Sequence, residues 1–218
     1  MPSFRHENRC TEAGALRIAG IDEVGRGPLA GPVVAAVAVI DRTMAKRKML
    51  RLIDDSKKLT LEEREEAYAV MLASGAVRYG VGEASVEEID AINILQATFL
   101  AMRRALQAMA EQPDLVLIDG NRAPPELGCR AETIVGGDAR SYSIAAASII
   151  AKVTRDRYMR GLAASFPGYG WETNVGYRSP DHLAALNALG PTVHHRRSFA
   201  PVMKALEPVL PLDPPPLA

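Results

Sequence analysis

Apolar residues collect in five short runs along the chain, and these runs predict the strands of a sheet. The second run, Val33–Ile40, is rich in valine and follows a Gly-Pro pair, which is typical of a strand that begins after a turn. The last two runs are short, and each is followed closely by an aspartate and glycine. The predicted strands cover residues 17–21, 33–40, 76–84, 115–118 and 131–135.

Capping signals and apolar residues at helical spacing predict helices between these strands. Thr60 with Glu63, and Ser85 with Glu88, each form a capping box, in which the first side chain and the third helical residue satisfy each other's backbone N–H groups. The second box precedes a long helix with apolar residues in steps of three and four, which predicts one buried stripe. The stripe consists of Ile92, Leu95, Phe99, Met102, Leu106 and Met109.

An alanine-rich helix is predicted over residues 143–160. It carries Ser148, Lys152 and Asp156 at intervals of four, so these side chains share one face. The succession of strands and helices favours an α/β fold, in which helices flank a mixed sheet.

A last helix is predicted between Ser179, at its N-cap with Pro180 next, and Gly190 just past its end. No internal repeat is present. The predicted organisation is a flexible polar tail over residues 1–15, one folded unit over residues 16–206, and a proline-rich tail over residues 207–218.

Composition places the chain among globular proteins, since 48% of its 218 residues are hydrophobic and 24% are charged. The longest apolar stretch, residues 28–40, is broken by Gly31 and Pro32 and is shorter than the roughly 20 residues of a membrane-spanning helix. The N-terminus has no apolar segment typical of a secretory signal. We therefore expect a cytoplasmic protein without a membrane partner, and a monomer by default.

Charge and cysteine content narrow the possible partners. The formal net charge is zero, so nucleic-acid binding is not indicated by an overall basic character and needs local patches. Cys10 and Cys129 are too few for a disulfide framework or a cysteine-based zinc site. The candidate basic patches, each of which is equally consistent with an ordinary solvated surface, are residues 46–48, residues 57–58, Lys152 with Arg155, and Arg196 with Arg197.

The richest segment for chemistry is residues 18–31, where a strand ends on Asp22-Glu23 and continues into Gly25-Arg26-Gly27. Carboxylates suit a hard divalent cation, and glycines let the main chain approach a ligand closely, so the segment indicates metal beside phosphate. Two alternatives stay open on this segment alone. A Gly-x-Gly pair after a strand is also part of a dinucleotide site, and an acidic pair is also an ordinary solvated strand end.

Three aspartates are predicted to converge at one edge of the sheet. Asp22 and Asp119 end predicted strands, and Asp138 follows the fifth. If the first and fourth strands are parallel neighbours, their carboxyl ends meet in the same small volume. Glu23 points to the opposite face, so its contribution requires a water, its backbone carbonyl or a local twist.

Carboxylates crowded in this way repel one another unless cations neutralise them, so the arrangement predicts bound metal. Ligands that are oxygen atoms only favour Mg²⁺ or Mn²⁺ over zinc. Two such ions about 4 Å apart support in-line hydrolysis of a phosphodiester, with one activating water and the other stabilising the leaving oxygen.

Taken together and in order, the motifs of the chain resemble those of bacterial ribonuclease HII. The resemblance extends over nearly the whole folded unit. The matching segments are residues 20–28 (GIDEVGRGP), 55–59 (DSKKL), 117–122 (LIDGNR), 137–138 (GD), 146–156 (AASIIAKVTRD), 176–177 (GY), and 190–192 (GPT) through 195–199 (HRRSF).

The resemblance implies a ribonuclease H-like catalytic domain with a mixed five-stranded sheet and a C-terminal helical extension. It also implies cleavage of RNA in RNA/DNA hybrids and at ribonucleotides embedded in duplex DNA, with 3′-hydroxyl and 5′-phosphate products and Mn²⁺ or Mg²⁺ as cofactor. The metal-binding and catalytic residues that it implies are Asp22, Glu23, Asp119 and Asp138.

The resemblance further implies a set of substrate contacts. Gly25, Arg26 and Gly27 would recognise the ribose 2′-hydroxyl, which distinguishes RNA from DNA. Tyr177 would pack on the sugar beside the cleaved phosphate at the RNA–DNA junction; the alternative for it is an ordinary buried tyrosine. The implied phosphate contacts, which position a duplex without selecting its sequence, are Lys57, Ser148, Lys152 and Asn121.

The chain departs from the family pattern at two positions. Gly136 and Val175 stand where the family often has lysines, and this weakens the expected backbone contacts without removing a proposed metal ligand. His194 and His195 lack the spacing of a zinc site, so we interpret them as structural or phosphate-facing.

Two functions of other classes compete with a nuclease. A dinucleotide-dependent oxidoreductase fits poorly, because Gly31 comes one residue too late for the fingerprint, Pro28 interrupts it and a strand rather than a helix follows. A catalytically silent hybrid-binding module is disfavoured by the intact acidic set, since carboxylates hinder the approach of a polyanion unless metals are recruited.

Overall fold

Five strands form one mixed sheet in the computed structural model, which describes residues 1–207. The spatial order of the strands is β3-β2-β1-β4-β5. The first three strands are antiparallel neighbours, and the last two run parallel to β1. The strands are β1 (Ile18–Val24), β2 (Val33–Ile40), β3 (Val77–Ala84), β4 (Leu115–Asp119) and β5 (Arg130–Ile134).

Eight helices accompany the sheet in the described part of the chain, and a 3-10 turn, Gly137–Ala139, follows β5. The helices are α1 (Arg5–Glu12), α2 (Arg47–Leu50), α3 (Leu61–Ala73), α4 (Val86–Gln107), α5 (Tyr142–Ser165), α6 (Trp171–Asn174), α7 (Pro180–Leu189) and α8 (Ala200–Leu206). No helix within residues 1–207 is long and apolar enough to cross a membrane.

The sheet is covered on both faces, by α4 on one side and by α5 with α3 on the other. Helix α5 approaches β1 very closely, since a Cβ atom at Gly20 would lie 2.1 Å from the backbone nitrogen of Ile144. Only a glycine fits there, and the small buried alanines of α5 make the same close approach possible. Helix α5 thereby lies directly behind the strand that carries Asp22.

The predicted helix starts are confirmed, and both capping boxes form as expected. The predicted stripe on α4 is wrong at its first member, because Asn93 adopts φ 66° and kinks the helix there. The Asn93 side chain accepts hydrogen bonds from the N–H groups of Leu95 and Gln96, so it caps the second half of the helix. Ile92, just before the kink, is 38% exposed, whereas Phe99 and the later members of the stripe are buried.

The expectation of a flexible tail over residues 1–15 needs correction, because these residues include the ordered helix α1. Its Glu7 is buried, and Glu7 Oε1 accepts hydrogen bonds from Ser141 Oγ (2.6 Å) and from the Ser143 N–H group (3.0 Å). Cys10 packs in a small apolar cluster under β1 and β4. The polar sequence concealed this attachment, since the partners of Glu7 lie more than 130 positions away along the chain.

The predicted C-terminal helical extension is present as α6, α7 and α8. Helix α7 has the predicted N-cap Ser179, with Pro180 at its start and Gly190 at its end. The side chain of Asp90, on α4, accepts hydrogen bonds from the backbone N–H groups of Arg197 and Ser198 and so ties the extension to the main body. The proline-rich tail predicted for residues 207–218 lies outside the described residues except for Glu207.

Candidate active site

Three carboxylates converge at the end of the sheet where β1 and β4 run side by side. Ile21 pairs with Ile118 across these parallel strands, so Asp22 and Asp119 are the next residues of each. Asp138 reaches the same place from the 3-10 turn after β5. Each aspartate offers an oxygen atom that lies within 4.8 Å of the oxygens of the other two, which is the convergence that the strand-end argument predicted.

The surroundings of this cluster disfavour negative charge. Burial raises the pKa of Asp22 well above its ordinary value, and repulsion from Glu23 and Asp119 raises it further, although the Ser148 hydroxyl and the Glu23 N–H group oppose the shift. Burial also raises the pKa of Asp119, against a 2.7 Å hydrogen bond from the Gly137 N–H group. Because the side chains repel one another when ionised, a cation between them is favoured.

The donor atoms of the cluster suit a hard divalent cation. The cluster supplies carboxylate oxygens alone, from Asp22, Asp119 and Asp138, and these are the ligands that Mg²⁺ and Mn²⁺ prefer. Asp22 and Asp138 are each 5% exposed, so their oxygens face one another rather than bulk water. The three residues therefore fit a divalent metal site.

Glu23 lies beside Asp22, Asp119 and Asp138, which are called the trio below, and is not part of that group. Its carboxylate pairs with Arg26, with Oε1 3.2 Å from Arg26 Nη1, and burial raises its pKa while Arg26 counteracts the shift. Glu23 instead lines an open groove of about 400 Å³ together with Arg26, Asp119, Asn121 and Arg122. The groove runs from the carboxylate cluster along the second half of α4.

Lys57 supplies the positive charge nearest to Asp138. Its Nζ atom lies 3.2 Å from Asp138 Oδ2, and 77% of its side chain is exposed. The lysine thus stands at the rim of the cluster, where it is reachable from solvent.

The segment after β1, residues 25–32, is held by two buried arginines and is called the glycine-arginine loop below. Arg196 donates hydrogen bonds to the carbonyl oxygens of Gly25 (2.6 Å), Arg26 (3.1 Å) and Gly31 (2.9 and 2.8 Å). Arg155 donates to Pro32 and Ala30, and also to Val175. Every nitrogen of both guanidinium groups thereby donates to a backbone carbonyl, which fixes the shape of the loop.

The two glycines of this loop have different roles. Gly25 has φ +91°, and a Cβ atom there would lie 2.3 Å from Arg155 Nε, so the fold itself requires this glycine. At Gly27 a Cβ atom would meet nothing within 4 Å, so the fold does not require it. Gly27 is exposed to solvent in the loop that follows β1.

The structure corrects two of the candidate basic patches. Arg155 and Arg196 are both 0% exposed, so neither can contact a nucleic acid. Burial lowers the pKa of Arg155 to about 10 and that of Arg196 to about 9, so both remain charged at neutral pH. The burial of Arg155 could have been inferred from helical spacing, because Ser148, Arg155 and Met159 lie on one buried stripe of α5.

Lys152 and Tyr177 lie close to one another. Lys152 Nζ donates to Asp156 Oδ1 at 2.8 Å and lies 5.5 Å from the centre of the Tyr177 ring. Tyr177 is 39% exposed, so the alternative of an ordinary buried tyrosine is wrong. The main chain joins it to the glycine-arginine loop, since the Leu29 N–H group donates to the carbonyl of Gly176.

Ser148 lies deeper than a surface phosphate contact. It is 4% exposed, and its hydroxyl lies 2.8 Å from Ser56 Oγ, behind Asp22. Asn121 is exposed on the loop after β4. At the two positions of departure, Val175 is buried with φ 42°, and Gly136 has φ 65° with open space around it.

Comparison with known proteins agrees with the sequence resemblance. The sequence model of the family described as Ribonuclease HII matches residues 19–202. A ribonuclease HII of Rhodospirillum rubrum is 57% identical over 206 residues, which cover 94% of this chain and 92% of that protein. A ribonuclease HII of Granulibacter bethesdensis is 54% identical over the same shares of the two chains.

The fold agrees as well. The crystal structure of ribonuclease H2 from Pyrococcus horikoshii superposes with a TM-score of 0.70 at 29% identity, covering 87% of this chain and 97% of that one. The predicted fold, a ribonuclease H-like mixed sheet flanked by helices with a helical extension, is therefore confirmed.

Proposed function

Because the chain belongs to the ribonuclease HII family and is a metal-dependent endoribonuclease acting on RNA/DNA hybrids, we propose that it also incises duplex DNA at single embedded ribonucleotides. The reaction leaves 3′-hydroxyl and 5′-phosphate ends. The observation that carries the proposal is the convergence of Asp22, Asp119 and Asp138, with one oxygen of each within 4.8 Å of the others.

In this proposal Asp22, Asp119 and Asp138 hold two Mg²⁺ or Mn²⁺ ions. When bound, the ions supply an activated water and stabilise the leaving 3′-oxygen of an in-line displacement. Glu23 completes the catalytic set from the groove side, where its pairing with Arg26 keeps it beside the trio. Burial, with added repulsion between the carboxylates, raises the pKa of Asp22 and of Asp119, and this supports the assignment because a bound cation favours their ionised forms.

The glycine-arginine loop recognises the ribose in this proposal. The main chain at Gly25, Arg26 and Gly27 directly follows β1, which carries Asp22 and Glu23, and the Arg26 side chain pairs with Glu23. The open space around a Cβ atom at Gly27 leaves room for a sugar. A 2′-hydroxyl both donates and accepts hydrogen bonds, so backbone groups suffice to distinguish it from a deoxyribose. Tyr177 packs on the adjacent sugar at the RNA–DNA junction, which its exposed ring permits.

Phosphate contacts come from both sides of the carboxylate cluster. Lys57 stands at its rim, Lys152 lies beside Tyr177, and Asn121 is exposed on the groove. Ser148 is buried and is not one of these contacts; its hydroxyl lies against Ser56 and supports Asp22 from beneath. These groups position a duplex without selecting its base sequence, which suits an enzyme that must act at any ribonucleotide.

We also propose that the protein acts as a cytoplasmic monomer. The three carboxylates of the proposed metal site converge within one chain, so the proposed catalysis needs no residue from a second copy. The proposed substrate, chromosomal duplex DNA, lies in the cytoplasm of bacteria.

The test is an end-labelled duplex with one ribonucleotide, compared with a uniform RNA/DNA hybrid and with an all-DNA duplex. We expect incision of the first two in Mn²⁺ or Mg²⁺, none in excess chelator, and none of the all-DNA duplex. Product ends are identified by relabelling with polynucleotide kinase before and after phosphatase. Cleavage that survives chelation would contradict the mechanism, and binding without cleavage in either metal would favour a silent hybrid-binding module.

Gly27→Val separates ribose recognition from folding. Because a Cβ atom has open space at Gly27, we expect an unchanged melting temperature. The added branched side chain occupies the space of the sugar, so we expect kcat/KM at an embedded ribonucleotide to fall at least about tenfold, equal to about 1.4 kcal/mol. Duplex affinity in chelator, measured by fluorescence anisotropy, should change by less than about twofold, because phosphate contacts dominate it.

Gly161→Val is the matched control for this variant. Gly161 also has open space around a Cβ atom, and it lies on the exposed side of α5. We expect its cleavage rates to be those of the wild type. Its stability should not fall, because valine has a higher helix propensity than glycine. Equal losses for Gly27→Val in cleavage and in chelator affinity would contradict the proposed recognition of the 2′-hydroxyl.

A further inference from the structure

A buried group of polar rings lies beneath the glycine-arginine loop and Tyr177, away from the carboxylate cluster. His182, Trp171 and His195 are 0%, 0% and 1% exposed. Each polar ring atom of the three residues has a hydrogen-bonding partner in the structure. The proposed reaction does not use any of these rings directly.

The partners of His182 fix which of its nitrogens carries the proton. Trp171 Nε1 lies 3.1 Å from His182 Nε2, and an indole N–H group only donates, so His182 Nε2 is the acceptor. On the other side of the ring, His182 Nδ1 lies 2.8 Å from the carbonyl oxygen of Tyr177, which only accepts. The proton of His182 is therefore on Nδ1.

The partners of His195 fix the opposite arrangement. The backbone N–H group of Thr192 donates to His195 Nδ1 at 2.9 Å, so this nitrogen carries no proton. The neutral ring then carries its proton on Nε2, which lies 3.1 Å from His182 Nε2 and donates to it. The hydrogen bonds thus point in one direction, from Thr192 through His195 and His182 to the Tyr177 carbonyl.

This chain of hydrogen bonds is called the relay below. Its ends are attached to the two elements proposed to recognise the substrate, the glycine-arginine loop and Tyr177. His195 pairs with Ala30 of the glycine-arginine loop in an isolated antiparallel bridge, and the Gly31 N–H group donates to the neighbouring carbonyl of His194. At the other end the relay terminates on the backbone of Tyr177, whose carbonyl also accepts from the Ser179 N–H group. The two rings therefore span the distance between both elements.

We propose that His182 and His195 are positioning residues that hold Tyr177 in register with the glycine-arginine loop through one fixed pair of neutral tautomers. The inference rests on the proposed role of Tyr177 at the RNA–DNA junction. A second proton on His182 would face the indole N–H group, and one on His195 would face the Thr192 N–H group, so a charged ring breaks the relay. Burial lowers the pKa of both rings, which keeps them neutral at pH 7.

The first test is spectroscopic and needs no substrate. The full chain, labelled with ¹⁵N in its histidines, is measured at pH 7 by long-range ¹H–¹⁵N correlation, and the rings are assigned with the His182→Asn and His195→Asn variants. We expect the Nδ1–H tautomer for His182 and the Nε2–H tautomer for His195. The Nε2–H tautomer or a charged ring at His182 would overturn the inference, as would the Nδ1–H tautomer or a charged ring at His195.

The second test uses two variants that retain different halves of the ring's function. An asparagine at position 182 puts an amide donor near the place of Nδ1, whereas a glutamine puts its amide near the place of Nε2. The measured quantity is the ratio of kcat/KM for a duplex with one ribonucleotide to that for a uniform hybrid, since only the first substrate presents the junction at every cut. Tyr177→Ala shows how far this ratio falls when the proposed junction contact is removed completely.

In His182→Asn we expect the ratio to stay within about threefold of the wild-type value, and in His182→Gln we expect it to fall about tenfold. Both variants should lower the melting temperature by similar amounts. If the role of His182 were purely structural, the ratio would fall in both variants in proportion to their loss of stability. That result would overturn the inference. If the wild type does not cut at embedded ribonucleotides, the proposed function fails, and the tautomer measurement alone decides whether the relay exists.

Discussion

The carboxylate cluster and the layer beneath the glycine-arginine loop both bury ionisable side chains, and they differ in how these side chains are paired. Arg155 and Arg196 meet backbone carbonyls with all of their donor nitrogens. Asp22 instead has only the Glu23 N–H group and the Ser148 hydroxyl as hydrogen-bonding neighbours, and it lies against the carboxylates of Glu23 and Asp119. The buried arginines stabilise a loop through these bonds, and the layer that holds them is called the saturated region below. The crowded carboxylates instead require an external cation, so buried charge stabilises the first region and destabilises the second.

Asp119→Asn gives the largest effect expected from this contrast. The variant removes one metal-ligand charge, so we expect cleavage of the single-ribonucleotide duplex in Mn²⁺ to fall on the order of 10³-fold, equal to about 4 kcal/mol of transition-state stabilisation. The melting temperature should not fall, because an amide at this position reduces repulsion. Cleavage is followed by gel electrophoresis of the labelled strand.

Asp181→Asn is the control for this variant. Asp181 is an exposed aspartate in the first turn of α7, away from the carboxylate cluster. It should leave the cleavage rate unchanged. Activity like that of the wild type in Asp119→Asn would contradict the metal assignment.

Arg196→Met examines the saturated region and should act on stability first. The change leaves the carbonyls of Gly25, Arg26 and Gly31 without their buried donor. We expect the free energy of unfolding to fall by about 3 kcal/mol, which lowers the melting temperature by about 10 °C in a chain of this size. Urea unfolding followed by circular dichroism measures the loss.

Arg197→Met is the adjacent control, because Arg197 is exposed and contributes only its backbone N–H group to Asp90. It should change the free energy of unfolding by less than about 0.5 kcal/mol. Similar losses in both variants would show that the carbonyl contacts of Arg196 do not stabilise the loop.

The same contrast explains which parts of the site the sequence predicted. Strand periodicity places Asp22 and Asp119 at strand ends, and their convergence followed only on the condition that β1 and β4 are parallel neighbours, which the structure shows them to be. Alternation along the strand indicated that Glu23 points away from Asp22, and Glu23 lies outside the converging group, so its predicted metal-binding role remains a proposal.

The roles of the saturated residues were not predictable in the same way. Arg196 contacts carbonyls more than 160 positions earlier in the chain, and Glu7 on α1 contacts Ser141 in a similar long-range manner. Arginine and glutamate are usually exposed, so residue type alone predicts that they lie on the surface. Only the tertiary fold brings their buried partners to them. Likewise, the kink that exposes Ile92 depends on one residue, Asn93, whose side chain caps the following turn.

Asp22→Asn tests whether the crowded carboxylates reduce stability. The folded-state pKa of Asp22 is raised, so in the wild type the free energy of unfolding falls as pH rises through that pKa and the carboxyl ionises. The amide does not ionise, so in chelator at pH 7 we expect the variant to be more stable by about 1 to 2 kcal/mol. Thermal melts at pH 5 and pH 7 should show this advantage shrinking at the lower pH.

Mn²⁺ should reverse the order of the two proteins. A ligand at about 100 times its Kd stabilises a folded protein by about 2.7 kcal/mol, and the wild type retains the full ligand set. We expect the wild-type melting temperature to rise with Mn²⁺ and that of Asp22→Asn to respond much less. A variant that is less stable than the wild type in chelator would contradict the account of uncompensated charge.

The smallest effect concerns acid and the histidines of the saturated region. Burial lowers the pKa of His195 to about 4, with further contributions from His182 and His194, and the rings of Tyr169 and Trp171 also pack against it. A lowered histidine pKa means that the unfolded chain binds more protons between pH 6.5 and about 4, so stability is lost as pH falls through this range. We expect a loss on the order of 1 kcal/mol between pH 7 and pH 5 from this ring.

The measurement compares the wild type with His195→Asn by urea unfolding at both pH values. Asparagine does not titrate, so the difference in free energy of unfolding between the two proteins should narrow at pH 5, whatever other groups contribute to both. Since the raised pKa of Asp22 stabilises the folded state as pH falls, the two regions act on acid stability with opposite signs. A difference that stays constant between pH 7 and pH 5 would mean that His195 titrates alike in the folded and unfolded chain, and the fixed neutral ring would then be wrong.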